Sequence, residues 1–367
     1  MGFFSKKPSS ILGIDVGASA VKLVELVRDG ARARLRTYGY TERAFEAAPS
    51  DSRERAEEMG TIIRELKKKT GAQANTAIAS LPTFSVFSSI IILPELPKKE
   101  VPNAIRWEAK KLVPLPLEEM ILNWEVLPDG ERLVAPSPAR MEKRAGDLTA
   151  TPVIAGKEKK SVHYLITAAE KKLVEQYVAI FKASGLTLQS LETEAFALVR
   201  SLIGNDKSTV MIVDIGAKNT DLSIIDSGIP VLNRSMDFGG KAFTDALAQM
   251  TKLSPTIAEQ LKRDLGRAPL PTMPKFLEAV FAPLVNELHY TISLYQSRSG
   301  RRIEKIIVTG GSGFLFNCAS LLSSRFNITV AVGDPWARVA TPVDLAPALT
   351  DIGPRMSVAV GLAMRGI

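Results

Sequence analysis

Asp15 stands two residues ahead of Gly17 and seven ahead of Lys22, and Asp214 stands two ahead of Gly216, at matching places in two copies of one pattern. The first copy runs from Ile11 to Leu26 and the second from Val210 to Ile225. Each reads as an apolar strand, an Asp-x-Gly turn with small or polar residues, and an alternating second strand. In the first turn the backbone N–H groups of Gly17, Ala18, Ser19 and Ala20 can cradle phosphate oxygens, as turn amides do in anion-binding nests. Asp15 can hold Mg2+ through water, because Mg2+ prefers oxygen ligands and keeps much of its hydration. Lys22 supplies a point charge to phosphate. Taken alone, this segment reads equally well as an ordinary β-hairpin with a solvated lysine. The second copy, with Asp214, Gly216, Ala217 and Asn219, would clamp the same phosphates and the same metal from an opposite wall, and two matching clamps favour the phosphate reading.

Strands and helices alternate in both halves around these turns, which argues an α/β fold. After the first hairpin the pattern predicts a strand over Arg32–Tyr40, a charged helix over Asp51–Lys69 and a strand over Thr76–Ser80. A change of texture near Leu81 marks a small α+β subdomain inserted at 83–184, with strands over Ser85–Leu93, Ile121–Leu127 and Val162–Ala168 and an amphipathic helix over Lys98–Leu112. Within it, Pro128–Lys160 carries four prolines, charges of both signs and no aromatic residue, and is expected to be a mobile loop. Two domains follow from the duplication. The first comprises 9–82, completed by a connection at 185–205 and a C-terminal helix within 353–367. The second comprises 206–238 and 301–352, with a helical subdomain at 239–300. A strand over Thr187–Ser190 and a helix over Glu192–Leu202 build the connection, and the last helix is expected from Pro354 to Arg365.

The chain has 367 residues, enough for two sizeable cores, with 46% hydrophobic and 23% charged residues. Its one cysteine, Cys318, allows neither a disulfide framework nor a cysteine metal cluster, and points to a reducing, cytosolic compartment. No run reaches the roughly 18 apolar residues that a membrane span needs. The start, Met1 to Lys7, is too short in apolar residues for a signal peptide and reads as a frayed end. The net charge of +8 is spread among few aromatics, so no nucleic-acid partner is expected; an anionic membrane face or an anionic small ligand accounts for it equally well.

Three further motifs follow in chain order, and with the hairpins they resemble the actin, heat-shock chaperone and sugar-kinase superfamily. Asp237-Phe238-Gly239-Gly240 with Phe243 resembles the Gly-Gly turn that meets phosphate in the second domain. Glu259 and Lys262 lie one turn apart on a helix that resembles the one whose Glu and Lys contact the nucleoside. Ile306 to Gly313, with Gly310, Gly311 and Ser312, resembles the adenosine motif, where glycines let the backbone approach the base. Leu191 to Leu198, and Gly353 to Arg365 with its small Ala359, Gly361 and Ala363, resemble the pair of connecting helices between the domains. Glu192 lies where chaperone-type relatives place an acid near the attacking water, and it also reads as an ordinary acid at a helix start. The resemblance implies a two-domain actin-like (ribonuclease H-like) fold with ATP and Mg2+ in its cleft, Asp15 and Asp214 serving the metal.

Within the superfamily the chain resembles the PilM family of type IV pilus assembly proteins. The marker is Ala104-Ile105-Arg106-Trp107-Glu108-Ala109 through Leu115-Pro116-Leu117-Glu118-Glu119, joined by Gly333-Asp334-Pro335-Trp336 and by Ile352 to Leu362. That resemblance implies a cytoplasmic ATP-binding adaptor, peripheral to the inner membrane through the pilus assembly complex. Its partner would be the N-terminal cytoplasmic tail of PilN, received in a groove beside the inserted subdomain. Trp107 is expected in that subdomain's core. A small-metabolite kinase on the same fold is the competing class, but it needs a general base in the first domain, and no Asp motif beyond Asp15 is found. An FtsA-like division protein remains open, although its amphipathic C-terminal membrane helix has no counterpart. No substrate domain of the chaperone kind follows the second half, and two histidines, His163 and His289, argue against a metal hydrolase.

Overall fold

The computed structural model describes residues 10–30, 32–42, 52–127, 161–267, 275–313 and 315–367. The expected loop at Pro128–Lys160, and the N-terminal residues ahead of Ser10, lie outside them. Two large sheets are each opened by one of the duplicated hairpins. In the first, β1 (Ser10–Val16), β2 (Ala20–Asp29) and β3 (Arg32–Glu42) run antiparallel, and β4 (Thr76–Leu81) lies parallel to β1. Ile11, Leu12 and Ile14 are all fully buried, as a central strand with both faces covered requires. Leu12, Ile14, Val21 and Leu23 face the helices Ser52–Thr70 (α1) and, beyond the inserted sheet, Lys171–Ser184, whereas Ile11, Val24 and Leu26 face the C-terminal helix.

Residues inserted after β4 form a three-stranded antiparallel sheet of β5 (Val86–Pro94), β6 (Met120–Leu127) and β7 (Ser161–Glu170), with β7 central. The helix Val101–Leu112 (α2) packs one face of it through Ile105 and Ala109 against Ile91, Leu93, Tyr164 and Ile166. The chain then passes through Lys171–Ser184 (α3) and returns to the first sheet as β8 (Thr187–Thr193), parallel to β4. This strand runs three residues beyond its expected end, so Glu192 belongs to a strand paired with Ser80 and not to a helix. The connecting helix starts only at Glu194 (α4, Glu194–Leu198) and continues as a π turn over Val199–Ile203.

In the second sheet, β9 (Val210–Ile215), β10 (Thr220–Asp226) and β11 (Ile229–Met236) repeat the antiparallel hairpin arrangement, and β12 (Lys305–Thr309) and β13 (Thr329–Val332) add parallel strands beside β9. The helices Gly240–Thr251 (α5), Pro255–Arg267 (α6) and Lys275–Ser299 (α7) lie between β11 and β12. Phe238, Phe243 and Phe281 meet with ring centroids 4.6 to 6.2 Å apart and fill this core.

The last segment corrects the expected division of the chain. After the helix Cys318–Phe326 (α8) and β13, Trp336 packs on Tyr38 of the first domain, and β14 (Val339–Ala340) pairs with β3 at the edge of the first sheet. The final helix begins at Ala346, eight residues earlier than expected, with Pro347 in its first turn and Pro354 in its interior (α9, Ala346–Arg365). It lies between the two sheets, so that one cluster of buried side chains contains Ile11 and Val24 from the first, Ile212 from the second, and Ala359 and Leu362 from α9. Gly361 makes that crossing possible: a Cβ there would overlap the Ala197 carbonyl of α4.

Candidate functional site

Both hairpins end in the same hydrogen bond. Gly17 donates its N–H to Ala20 O at 3.0 Å, and Gly216 donates to Asn219 O at 2.9 Å. The register sets Asp15 opposite Lys22 in the first hairpin and Asp214 opposite Asp221 in the second. Lys22 Nζ lies 2.7 Å from Asp15 Oδ2, and Asp15 is buried. Burial works against the Lys22 ammonium, but Asp15, Asp214 and Glu194 outweigh it and hold its pKa above the ordinary value. Asp214 of the second hairpin acts on Lys22 of the first, so the two hairpins lie close together.

The other three motifs close around the second hairpin. Gly240 and Lys241 donate their N–H groups to Gly216 O at 2.9 Å and Ala217 O at 2.8 Å, and a Cβ at Gly239 would sit 2.8 Å from Ala217 O. Gly310 has φ +88°, and a Cβ there would overlap Asp214 Oδ1 and come within 2.5 Å of Ile215 O. Ser312 donates its N–H to Ile215 O at 3.0 Å. Pro354 of α9 accepts from Gly310 N and from Thr309 Oγ1, each at 3.0 Å, which ties the C-terminal helix to this turn. Gly311 leaves its outer side open, with Arg355 Nε the nearest atom to a Cβ at 3.8 Å.

Glu259 and Lys262, expected to reach a nucleoside, are bonded to each other and to the turn at Gly240. Lys262 is buried and donates to Glu259 Oε2 at 2.6 Å and to Thr244 Oγ1 and Gly240 O, each at 3.1 Å. Burial lowers its pKa, with Glu259 opposing, and Glu259 is itself held below its ordinary value because hydrogen bonds from Lys262 and Thr244 outweigh its burial. The pair braces the Gly239–Gly240 turn from behind.

Glu192 does not face the cleft. Its carboxylate pairs with Arg200 and with Arg365, the latter at 2.8 Å, at the wall of a separate cavity. Glu194, two residues on and past the strand's end, takes the cleft position. Its Oε2 accepts from Thr83 N at 3.1 Å and Thr83 Oγ1 at 2.8 Å. Burial lifts its pKa well above the ordinary range, and the charges of Asp221, Asp15 and Asp214 add to the shift. Burial likewise pushes Asp214 up to about 7, Lys22 opposing and Asp221 and Asp15 reinforcing, and pushes Asp221 up to about 6. Sequence reasoning missed Asp221 and Glu194. The signal for Asp221 was present: it lies seven residues after Asp214, as Lys22 lies seven after Asp15.

Four carboxyl groups thus share the cleft with one lysine. Among the described residues no three His, Cys, Asp or Glu side chains are close enough to chelate a metal by themselves. The donor set nevertheless suits a hydrated divalent cation, which Asp15 and Asp214 could hold through water from the two walls. A Cβ at Gly239 or Gly310 would overlap the neighbouring turn, and the turn N–H groups outside the hydrogen bonds above suit phosphate.

A separate cavity of about 380 Å3 lies between the three-stranded sheet and the first domain. Leu81, Val86, Ile121, Leu165 and Phe196 give it apolar walls, and Glu192 with Arg200 and Arg365 forms a polar end. It opens on the sheet face opposite α2. That helix presents Arg106, Trp107, Lys110 and Lys111 outward; Trp107 is 68% exposed and is not the core residue it was expected to be.

Two sheets opened by duplicated hairpins, with crossing helices between them, define the two-domain actin-like fold. A family model for the type IV pilus assembly protein PilM matches residues 13–142 and 151–367, and this chain belongs to that family. Among solved structures, the chain is similar to one described as a PilM-PilN type IV pilus biogenesis complex, with TM-score 0.78, 25% identity, and 98% of this chain and 99% of that one covered. The ethanolamine utilization protein EutJ of Carboxydothermus hydrogenoformans (TM-score 0.55, 16% identity, 97% and 90% covered) shares the fold. So does MreB 5 of Spiroplasma citri bound to AMPPNP (0.51, 12%, 97% and 95%). Among the described residues no helix is long and apolar enough to cross a membrane.

Proposed function

We propose that this pilus assembly protein binds ATP with Mg2+ between its two hairpins and acts as an adaptor on the cytoplasmic face of the inner membrane. There it receives the N-terminal tail of a PilN-type partner. The observation that carries the nucleotide reading is the convergence of four turns, with Asp214 of one hairpin acting on Lys22 of the other. Bound ATP supplies a polyphosphate whose charge is shared between Lys22, the turn amides and the metal. Ala18 and Ser19 would donate from one wall and Ala217 and Gly239 from the other, while Gly17, Gly216 and Gly240 use their N–H groups to close the turns. Asp15 and Asp214 hold the hydration shell of the metal, and Gly310, Gly311 and Ser312 leave room for the nucleoside. Glu194 is the acid placed to orient water, the role expected of Glu192. The adaptor role rests on binding and needs no turnover.

The partner reading draws support from the family, from the complex that the similar structure contains, and from the 380 Å3 cavity. An extended segment gains affinity there from apolar side chains against Leu165 and Phe196 and from main-chain groups near Arg200. Calorimetry tests both halves. Mg·ATP should bind the wild type, and Asp15→Ala or Lys22→Ala should abolish or sharply weaken it. A synthetic PilN-tail peptide should bind all three proteins. Undiminished ATP affinity in both variants would remove the two-wall clamp.

A further inference from the structure

The cleft and the peptide groove are joined through one carboxylate oxygen. Glu194 Oε2 takes both donors of Thr83, the backbone N–H at 3.1 Å and the hydroxyl at 2.8 Å. Thr83 opens the short 3-10 turn Thr83–Ser85, through which the chain leaves β4 for the inserted sheet. Glu194 opens α4, through which the chain leaves β8 for the second domain. Leu81 and Thr193, the last residues of β4 and β8, are paired neighbours. The two bonds therefore clamp together the points at which the chain departs for the insert and for the other domain.

The same two segments wall the groove. Leu81 and Val86 flank Thr83, Glu192, Thr193 and Phe196 flank Glu194, and all five line the cavity. The second domain leans on this spot as well, through contacts of β11 with the Thr83 turn and with β5. On its other side Glu194 shares the field of Asp15, Asp214 and Asp221. A cation and phosphates entering the cleft would change what Glu194 faces while its Oε2 still holds the groove wall.

We infer that Glu194 and Thr83 form a coupling device that makes the affinity of the groove for a peptide depend on the occupancy of the nucleotide cleft. Glu194 positions the 81–86 segment against the 191–196 segment, and their separation sets the groove width. A ligand in the cleft that draws on Glu194 shifts that separation. By linkage, a peptide seated in the groove changes nucleotide affinity by the same factor. This rests on the functional reading above, since it needs a nucleotide in the cleft and a peptide in the groove.

Thr83→Val tests it. The substitution keeps the β-branched shape, removes the hydroxyl donor and touches no group assigned to either ligand. Calorimetry with the synthetic PilN-tail peptide, with and without Mg·ATP, and with Mg·ATP, with and without peptide, gives the coupling factor twice over. The wild type should show a factor of roughly fivefold or more, equal in both directions. Thr83→Val, which leaves only the backbone N–H bond to Glu194, should at least halve it while each ligand alone still binds, and Thr83→Ser, which restores the hydroxyl, should recover it. A wild type that binds both ligands with no mutual effect would overturn the inference and leave the functional reading standing. So would a Thr83→Val protein with undiminished coupling. A wild type that binds no nucleotide would remove the functional reading and this one together. A Thr83→Val protein that loses peptide affinity equally in all nucleotide states would make Thr83 a part of the groove wall only, and would also overturn the inference.

Discussion

Replacing Asp214 by Asn should make the ligand-free protein more stable, by an amount that grows with pH. Asp214, one residue before the end of β9, lies against the Gly310 turn, and burial with the neighbouring Asp221 and Asp15 charges raises its pKa to about 7 despite Lys22. An unfolded chain ionises it near the ordinary aspartate value of about 3.9. The folded state therefore holds the proton more tightly than the unfolded state. Its stability contribution is fully present below about pH 4 and is lost as pH rises through about 7. With those two values the loss comes to about 2 kcal/mol at pH 5 and about 4 kcal/mol at pH 8. Asparagine cannot ionise, so Asp214→Asn should gain about those amounts over the wild type. Urea unfolding at pH 5, 6, 7 and 8, with EDTA present and nucleotide removed, measures the difference. Adding Mg·ATP at pH 8 should reverse the ranking, because the metal compensates an aspartate and not an asparagine. A gain that does not change with pH, or a variant less stable at pH 8, would refute the account of the cleft as a strained carboxylate cluster.

Lys262→Ala should cost about 1–3 kcal/mol of stability, because it removes the buried hydrogen bonds of its ammonium to Gly240 O, Thr244 Oγ1 and Glu259. It should weaken ATP and inorganic triphosphate equally in calorimetry; a selective loss of ATP would restore Lys262 to the nucleoside. Gly310→Ala should destabilise by about 2–5 kcal/mol in urea melts, since the residue has φ +88° and its new Cβ displaces Asp214. Arg106→Glu with Lys110→Glu should leave PilN-tail peptide affinity unchanged, whereas Leu165→Asp should reduce it at least tenfold, because α2 and the groove occupy opposite faces of the sheet.

Patterns set by short-range periodicity were legible. The duplicated hairpins, their Asp and Gly positions, and the burial of Ile11 to Ile14 follow from alternation and turn chemistry. Gly310 was legible as a close approach, although not that Asp214 is what it approaches. Features decided by tertiary pairing were hidden. Glu192 or Glu194 as the cleft acid depends on β8 running to Thr193, and that depends on its pairing with β4 up to Leu81, 112 residues away in sequence (193 − 81). Trp107 looked like core because a large aromatic on an amphipathic helix usually is; Ile105 and Ala109 take the buried side instead. Val339–Ala340 falls in the range expected for the second domain, and only pairing with the edge of β3 makes it a strand of the first sheet.

The divergence between the two hairpins explains why a duplicated clamp would need a metal. At the position seven residues past the aspartate, the first copy has Lys22 and the second Asp221. The first wall is therefore a neutral pair, and the second sets two carboxyl groups directly opposite each other across a hairpin. Cross-strand partners have Cβ atoms about 5 Å apart. Two full charges at that separation repel by about 3 kcal/mol at an effective dielectric constant near 20. Bare phosphate would add to this repulsion and could be welcomed only by the first wall. A divalent cation relieves it, and on the proposed reading the second wall recognises the metal while the first recognises the phosphate. Lysine in both copies would instead favour phosphate without a cation, so Asp221→Lys should convert a Mg2+-dependent site into one that binds polyphosphate in EDTA. If Asp221→Lys still requires Mg2+, the division of labour between the walls is wrong.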